Sequence, residues 1–194
     1  METMILASGS PRRRELLTRC RIPFRIIPPN VNESIHSGEV AREAVVRIAE
    51  LKVNEIIKIF KNESPRWVLG VDTIVNLDNE IIGKPKSVEH AESILRLLSG
   101  RVHKVVSGMS LLKEKGEKHN TKIVETEVKF KEMTSDEIRY YIGTGEWSGV
   151  AGGYRIQGSG SFFIEWIKGS FSNVMGLPLE TFYGMLRNSK YLFD

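Results

Sequence analysis

The 194-residue sequence predicts an α/β fold built on a mixed β-sheet with flanking helices, and three observations carry that prediction. Short apolar runs that read as strands are mixed with stretches of helical periodicity, without the strict βαβ alternation of a doubly wound parallel sheet. Two β-rich stretches, 102–112 and 122–130, follow one another across a polar segment and predict a long antiparallel pair. The 41% hydrophobic content is enough for a substantial core, and the single cysteine, Cys20, excludes an intrachain disulfide and a Cys-based zinc site. One globular domain over residues 1–194 is expected, with Cys20 as small core filler on a helix.

The elements follow in order. Residues 4–7 form a buried strand that ends in Ser8-Gly9-Ser10-Pro11, where Ser10 stands at an N-cap position and Pro11 at the first position of a helix reaching about residue 20. A second strand covers 24–27, and Pro28, Pro29 and Asn30 open a surface loop through Gly38. From 40 to about 60, Val45, Ile48, Ala49, Val53, Ile56, Ile57 and Phe60 recur at helical spacing and predict one long amphipathic helix. Residues 67–75 switch to an apolar strand interrupted by Asp72 and Thr73, and Asp78-Asn79 reads as a hairpin turn into 80–82. Ser87 caps a helix to about Leu98, and Ser135 with Glu137 and Ile138 starts another to about Ile142. The glycine-dense 145–160 reads as a functional loop, 162–167 as a strand, and Pro178 opens a C-terminal helix to about Leu186.

Composition narrows the function. A net charge of +4 favours anionic partners in general, but a row of exposed aromatics or a recognition helix is lacking, so nucleic acid is not the expected partner. No segment approaches the roughly 18 apolar residues of a membrane span, and the N-terminus lacks the pattern of a secretory signal. A cytoplasmic protein without membrane partners is expected. His36, His90, His103 and His119 show no metal-ligand spacing. Ser8 and Ser10 have no nearby histidine base, and Gly152-Gly153 with Gly158-Ser159-Gly160 does not complete a dinucleotide fingerprint.

Two anomalies point to chemistry. Arg12, Arg13 and Arg14 crowd the first turn of a helix, where the macrodipole favours anions instead. Together with backbone N–H groups and two serine hydroxyls, they make a site for a multiply charged phosphate; the plainer reading is a helix with solvated arginines. The second is Asp72, a carboxylate inside a strand that otherwise reads as buried. It needs a cation, a metal or a proton, so it is either a structural ion pair with a lysine or a metal ligand or general base. Glu33, Lys52, Lys84 and Gln157 are each unremarkable alone.

Six ordered motifs resemble the Maf family of nucleotide pyrophosphatases, which are related in fold to inosine triphosphate pyrophosphatases. They are Leu6-Ala7-Ser8-Gly9-Ser10-Pro11-Arg12-Arg13-Arg14-Glu15-Leu16-Leu17, Leu69-Gly70-Val71-Asp72-Thr73-Ile74-Val75, Gly83-Lys84-Pro85, Leu98-Ser99-Gly100-Arg101-Val102-His103, Ala151-Gly152-Gly153-Tyr154-Arg155-Ile156-Gln157-Gly158, and Gly169-Ser170-Phe171-Ser172-Asn173-Val174-Met175-Gly176-Leu177-Pro178.

The resemblance implies an elongated two-lobed sheet with a central cleft, and hydrolysis of a nucleoside triphosphate to monophosphate and pyrophosphate with a divalent cation, magnesium. By position, Asp72 matches the proton acceptor, and Arg12, Thr73 and Gln157 match positions tied to base selection. The Ile156-Gln157-Gly158 form is similar to the branch acting on dTTP and UTP. On this reading Asp72 and Glu33 hold the metal, while Ser8, Arg12, Arg13, Lys52 and Lys84 neutralise phosphate. The family also implies a homodimer, and its association with inhibition of septum formation keeps open a nucleotide-binding regulator with little catalysis. Two positions depart from the pattern: Asn32 precedes Glu33 where an acid is common, and Val150 stands where a lysine is common.

Overall fold

The structure, a computed structural model, describes residues 1–60, 65–114 and 117–193. Its centre is a seven-stranded mixed sheet of strand order β2-β1-β3-β5-β6-β7, with β4 also paired to β3. The strands are β1 (Met4–Ala7), β2 (Phe24–Ile26), β3 (Val68–Leu77), β4 (Glu80–Ile82), β5 (Val102–Leu112), β6 (Asn120–Phe130) and β7 (Ile164–Lys168). β1 lies parallel to β2 and β3, and every other pairing is antiparallel. The mixed sheet and the long β5–β6 pair are therefore as the sequence predicts. Residues 115 and 116 of the polar stretch between those strands lie outside the described residues.

The helices are α1 (Pro11–Arg19), α2 (Ala41–Ile59), α3 (Val88–Leu98), α4 (Ser135–Gly143), α5 (Phe171–Met175) and α6 (Leu179–Asn188). Alternation along β3 and β5 sorts the core by face. Val68 and Ile74 of β3 with Val106 and Leu112 of β5 pack on the α2 side. There α2 lies almost on the strands: a Cβ on Gly70 would sit 2.2 Å from the Ala49 carbonyl oxygen, and one on Gly108 2.4 Å from that of Val45.

The opposite face holds two cores. One gathers Leu69, Val71, Met109 and Leu111 with Leu17, Phe182 and Leu186; the other gathers Val75, Leu77 and Val105 with Leu95, Phe130 and Tyr141. Where they part, the cross-strand pair Thr73 and Ser107 replaces apolar side chains, their hydroxyls 2.9 Å apart. This is the two-lobed arrangement, and the cleft falls at that polar pair.

The cleft also meets a break in the sheet edge. β1 pairs with β3 up to Gly70, and β4 resumes pairing with the same strand at Val75. Since β5 pairs along the other edge, residues 71–74 have no strand neighbour on the β1 side among the described residues.

Local signals match the elements closely. Asp78 and Asn79 both have positive φ (50° and 70°), as a tight two-residue hairpin requires. Ser87 accepts a hydrogen bond from the His90 amide at the start of α3. Ser135 starts α4 as expected, behind Thr134, which caps the helix in a reciprocal capping box with Glu137. Ser10 holds the N-cap position of α1 as expected, and its hydroxyl makes no cap bond. Two expectations need correction. Cys20 is exposed at the C-cap of α1, beyond the last inward turn, and fills no core. Residue 162 belongs to a 3₁₀ turn (Ser159–Phe163), and the strand starts at Ile164. Among the described residues, no helix is long and apolar enough to cross a membrane.

Candidate active site

All nine sequence-predicted site residues line one cavity of about 300 Å³ at the broken edge of β3: Ser8, Arg12, Arg13, Glu33, Lys52, Asp72, Thr73, Lys84 and Gln157. Size and polar lining suit a small charged ligand.

Asp72 faces α2, in register with Gly108, and is 8% exposed. Lys52 reaches it from α2, where the spacing from Ile48, Ala49 and Val53 places this lysine on the apolar stripe of the helix. The Lys52 ammonium is 2.8 Å from Asp72 Oδ1, 2.8 Å from Glu33 Oε1 and 3.2 Å from the Val71 carbonyl oxygen, which lies at the unpaired edge. Three donors thus meet three acceptors. The ion pair with a lysine is real, and it forms part of the cavity wall. Lys52 draws two carboxylates together, so that their oxygens lie within twice 2.8 Å of each other.

Glu33 comes from the loop after β2, with Oε2 4.0 Å from Lys84 Nζ. Burial pushes its pKa up, but the hydrogen bond and charge of Lys52, with Lys84 and Arg13, outweigh that and hold it below the ordinary carboxylate value. Asn32 beside it accepts the Ser34 amide at 2.9 Å, so it shapes the loop. Val150 is buried in the cavity wall.

The three-arginine run divides according to helical direction. Arg14 is exposed, while Arg12 is partly buried and lines the cavity. Arg13 is buried and acts as a brace between three segments: Nε donates to the Gly176 carbonyl at 2.8 Å, one terminal nitrogen to Ser8 Oγ at 3.0 Å, the other to Thr73 Oγ1 at 3.1 Å. Burial lowers its pKa to about 10, against the opposing pull of Asp72 and Glu33, and Arg12 lowers it further. It therefore stays charged at neutral pH. Gly176 can offer its carbonyl because its φ of 107° is closed to ordinary side chains.

Gln157 is exposed on the glycine-dense loop at the cavity mouth. Sequence reasoning missed two neighbours on that loop, Tyr154 and Arg155, which also line the cavity. The signal was an arginine inside the motif that ends in Gln157. Tyr154 is supported from behind by His103, whose Nε2 shares a 2.8 Å hydrogen bond with the phenol oxygen.

Among the described residues no group of three or more His, Cys, Asp or Glu could hold a metal. Two convergent carboxylates nevertheless fit Mg²⁺, which takes one or two protein carboxylates and completes its shell with water and substrate phosphate.

Comparison with known proteins agrees with these features. The family model for Maf-like proteins matches residues 3–189. The chain is 42% identical to a dTTP/UTP pyrophosphatase from Syntrophus aciditrophicus, over 92% of this chain and 86% of that one. It is 45% identical to a dTTP/UTP pyrophosphatase from Thermococcus onnurineus, over 91% and 92%. Among solved structures, a HAM1 protein from Coxiella burnetii matches with a TM-score of 0.45 and 16% identity, covering 67% of this chain and 73% of that one. With its whole sheet and its cavity inside the matched span, the chain belongs to the Maf family.

Proposed function

We propose that this chain is a nucleoside triphosphate pyrophosphatase that hydrolyses dTTP and UTP to the monophosphate and pyrophosphate. One observation carries the reading: a buried carboxylate, Asp72, opens into the same cavity as Arg12, Arg13, Ser8 and Lys84. The names of the relatives set the substrate class.

In this mechanism the triphosphate enters with its anionic chain toward Arg12 and Lys84, whose charges offset repulsion against Glu33 and Asp72. Lys52 occupies Asp72 Oδ1, which leaves Oδ2 to accept a proton from the water that attacks the α-phosphorus. The bond to the β-phosphate bridging oxygen breaks, and pyrophosphate leaves. Glu33 together with Asp72 would hold Mg²⁺, which would supply further charge neutralisation for the triphosphate. Arg13 fixes Ser8 and Thr73 as one unit at the cavity floor, and at neutral pH its guanidinium keeps a positive charge there.

Gln157, whose amide offers both donor and acceptor groups, suits the edge of a pyrimidine that offers both carbonyl and N–H groups. The test is a panel of dTTP, UTP, CTP and GTP with Mg²⁺, scored for pyrophosphate release. dTTP and UTP should lead, and Gln157→Ala should compress the ranking by about tenfold, the cost of one or two polar contacts. A flat ranking in the parent protein overturns the substrate assignment. Tight nucleotide retention without pyrophosphate release supports the regulatory reading instead.

A further inference from the structure

Arg12 and Arg155 line the cavity from two segments far apart in sequence, α1 and the glycine-dense loop. Among the described residues the Arg12 side chain makes no hydrogen bond or ion pair. Arg155 gives one terminal nitrogen to the Ser148 carbonyl at 3.3 Å, while its buried Nε–H has no partner. Glu146 of that loop region makes no ion pair with it: Oε1 accepts from the Ser159 amide at 3.1 Å and hydroxyl at 3.3 Å, and its other oxygen is buried without a partner. Burial lowers the Arg12 pKa, and the positive charge of Arg155 lowers it further.

The arrangement is held in place by the backbone. The Arg155 amide donates to Tyr141 Oη at 3.0 Å, and its carbonyl accepts from the Gly158 amide at 3.3 Å. Gly160 packs so closely that a Cβ there would sit 2.6 Å from the Arg155 carbonyl oxygen. Arg155 is thus anchored where it repels Arg12 and leaves a buried donor unsatisfied. Two like charges with spare donors are stabilised by an anion between them, and the planar guanidinium fork matches phosphate oxygens pairwise.

We propose that Arg155 is a substrate-binding residue that grips the phosphate chain together with Arg12, independently of the base. The assignment rests on the nucleoside triphosphate reading for its biological ligand, but its chemistry is that of a polyphosphate site. Inorganic triphosphate, which has no base, is the probe.

Its Kd is measured by titration calorimetry for the parent protein, Arg155→Ala and Arg155→Lys at several salt concentrations, with melting curves as a folding control. The Ala variant should bind about tenfold more weakly, with a shallower salt dependence, and the Lys variant should fall between because it loses the fork. An unchanged Kd in a folded Ala variant overturns the proposal. If Arg155→Ala does not fold, the Lys variant decides, with parent-like affinity counting against. A shift in the dTTP, UTP and CTP ranking with unaltered triphosphate binding assigns Arg155 to the base and also overturns it. Failure of the parent to bind triphosphate sinks this inference, whereas triphosphate binding without dTTP hydrolysis sinks only the enzymatic reading.

Discussion

On the side of the cavity made by α2, β3 and the loop after β2, Lys52, Asp72 and Glu33 close on one another, whereas on the side made by α1 and the glycine-dense loop, Arg12 and Arg155 share no counterion among the described residues. The difference follows from where each residue sits. The acidic side lies on a long helix pressed against a sheet by two glycines, so its charges must be paired as the chain folds. The basic side lies on a helix start and a loop, where partial solvation tolerates unpaired cations until a ligand arrives. One wall is complete in the protein alone; the other is completed by its substrate.

The largest effect that tests this contrast is Asp72→Asn. It should lower pyrophosphate release by about a thousandfold. The variant should also be less stable by about 2 kcal/mol, because Lys52 then keeps only the half-exposed Glu33 as a charged partner. Steady-state rates and urea titration check both halves. Near-normal turnover removes Asp72 from the chemistry and leaves the acidic wall purely structural.

The basic wall stands on a neutral histidine. Burial pushes the His103 pKa down from 6.5 to about 4, so protonation favours the unfolded chain. The associated stability is fully present above pH 6.5 and is lost as the pH falls through about 4, amounting to about 3 kcal/mol in all. His103→Gln should flatten this limb when unfolding free energies of the two proteins are compared from pH 7 to pH 4. Parallel pH profiles would contradict the burial argument.

Arg13→Lys sharpens the comparison at the junction of the walls. A lysine cannot span Ser8, Thr73 and Gly176 at once, so the melting transition should reflect a loss of about 2 kcal/mol. KM for dTTP should rise as the Ser8 loop loosens. Equal stability and KM would mean that the three contacts do not position the loop.

Much of this was legible from residue types. Asp72 stood out because a carboxylate in an apolar strand is costly, and Asp78-Asn79 because few residue pairs accept two positive φ values. The inward aim of Lys52 was written in the helical period, since it shares the stripe of Ile48, Ala49 and Val53, yet only the family resemblance singled it out. Other features depend on contacts distant in sequence. Nothing local shows that Arg13 reaches Gly176, or that β1 and β4 leave a gap on one edge of β3. Arg155 was passed over because a lone arginine in a glycine-rich loop looks solvated; only the fold brings it to the same cavity as Arg12. Cys20 shows the reverse error, an apolar-leaning residue assigned to the interior although the helix ends there.

The interrupted edge of β3 has a consequence for how the molecule avoids sticking to others of its kind. Unpaired strand amides and carbonyls inside a sheet ordinarily invite an extra strand from a neighbouring chain. Here that vacancy is filled by a lysine ammonium on the Val71 carbonyl and flanked by a guanidinium on Thr73, so an incoming backbone would have to displace buried cations. The same charges that ready the pocket for a nucleotide also guard it against β-augmentation.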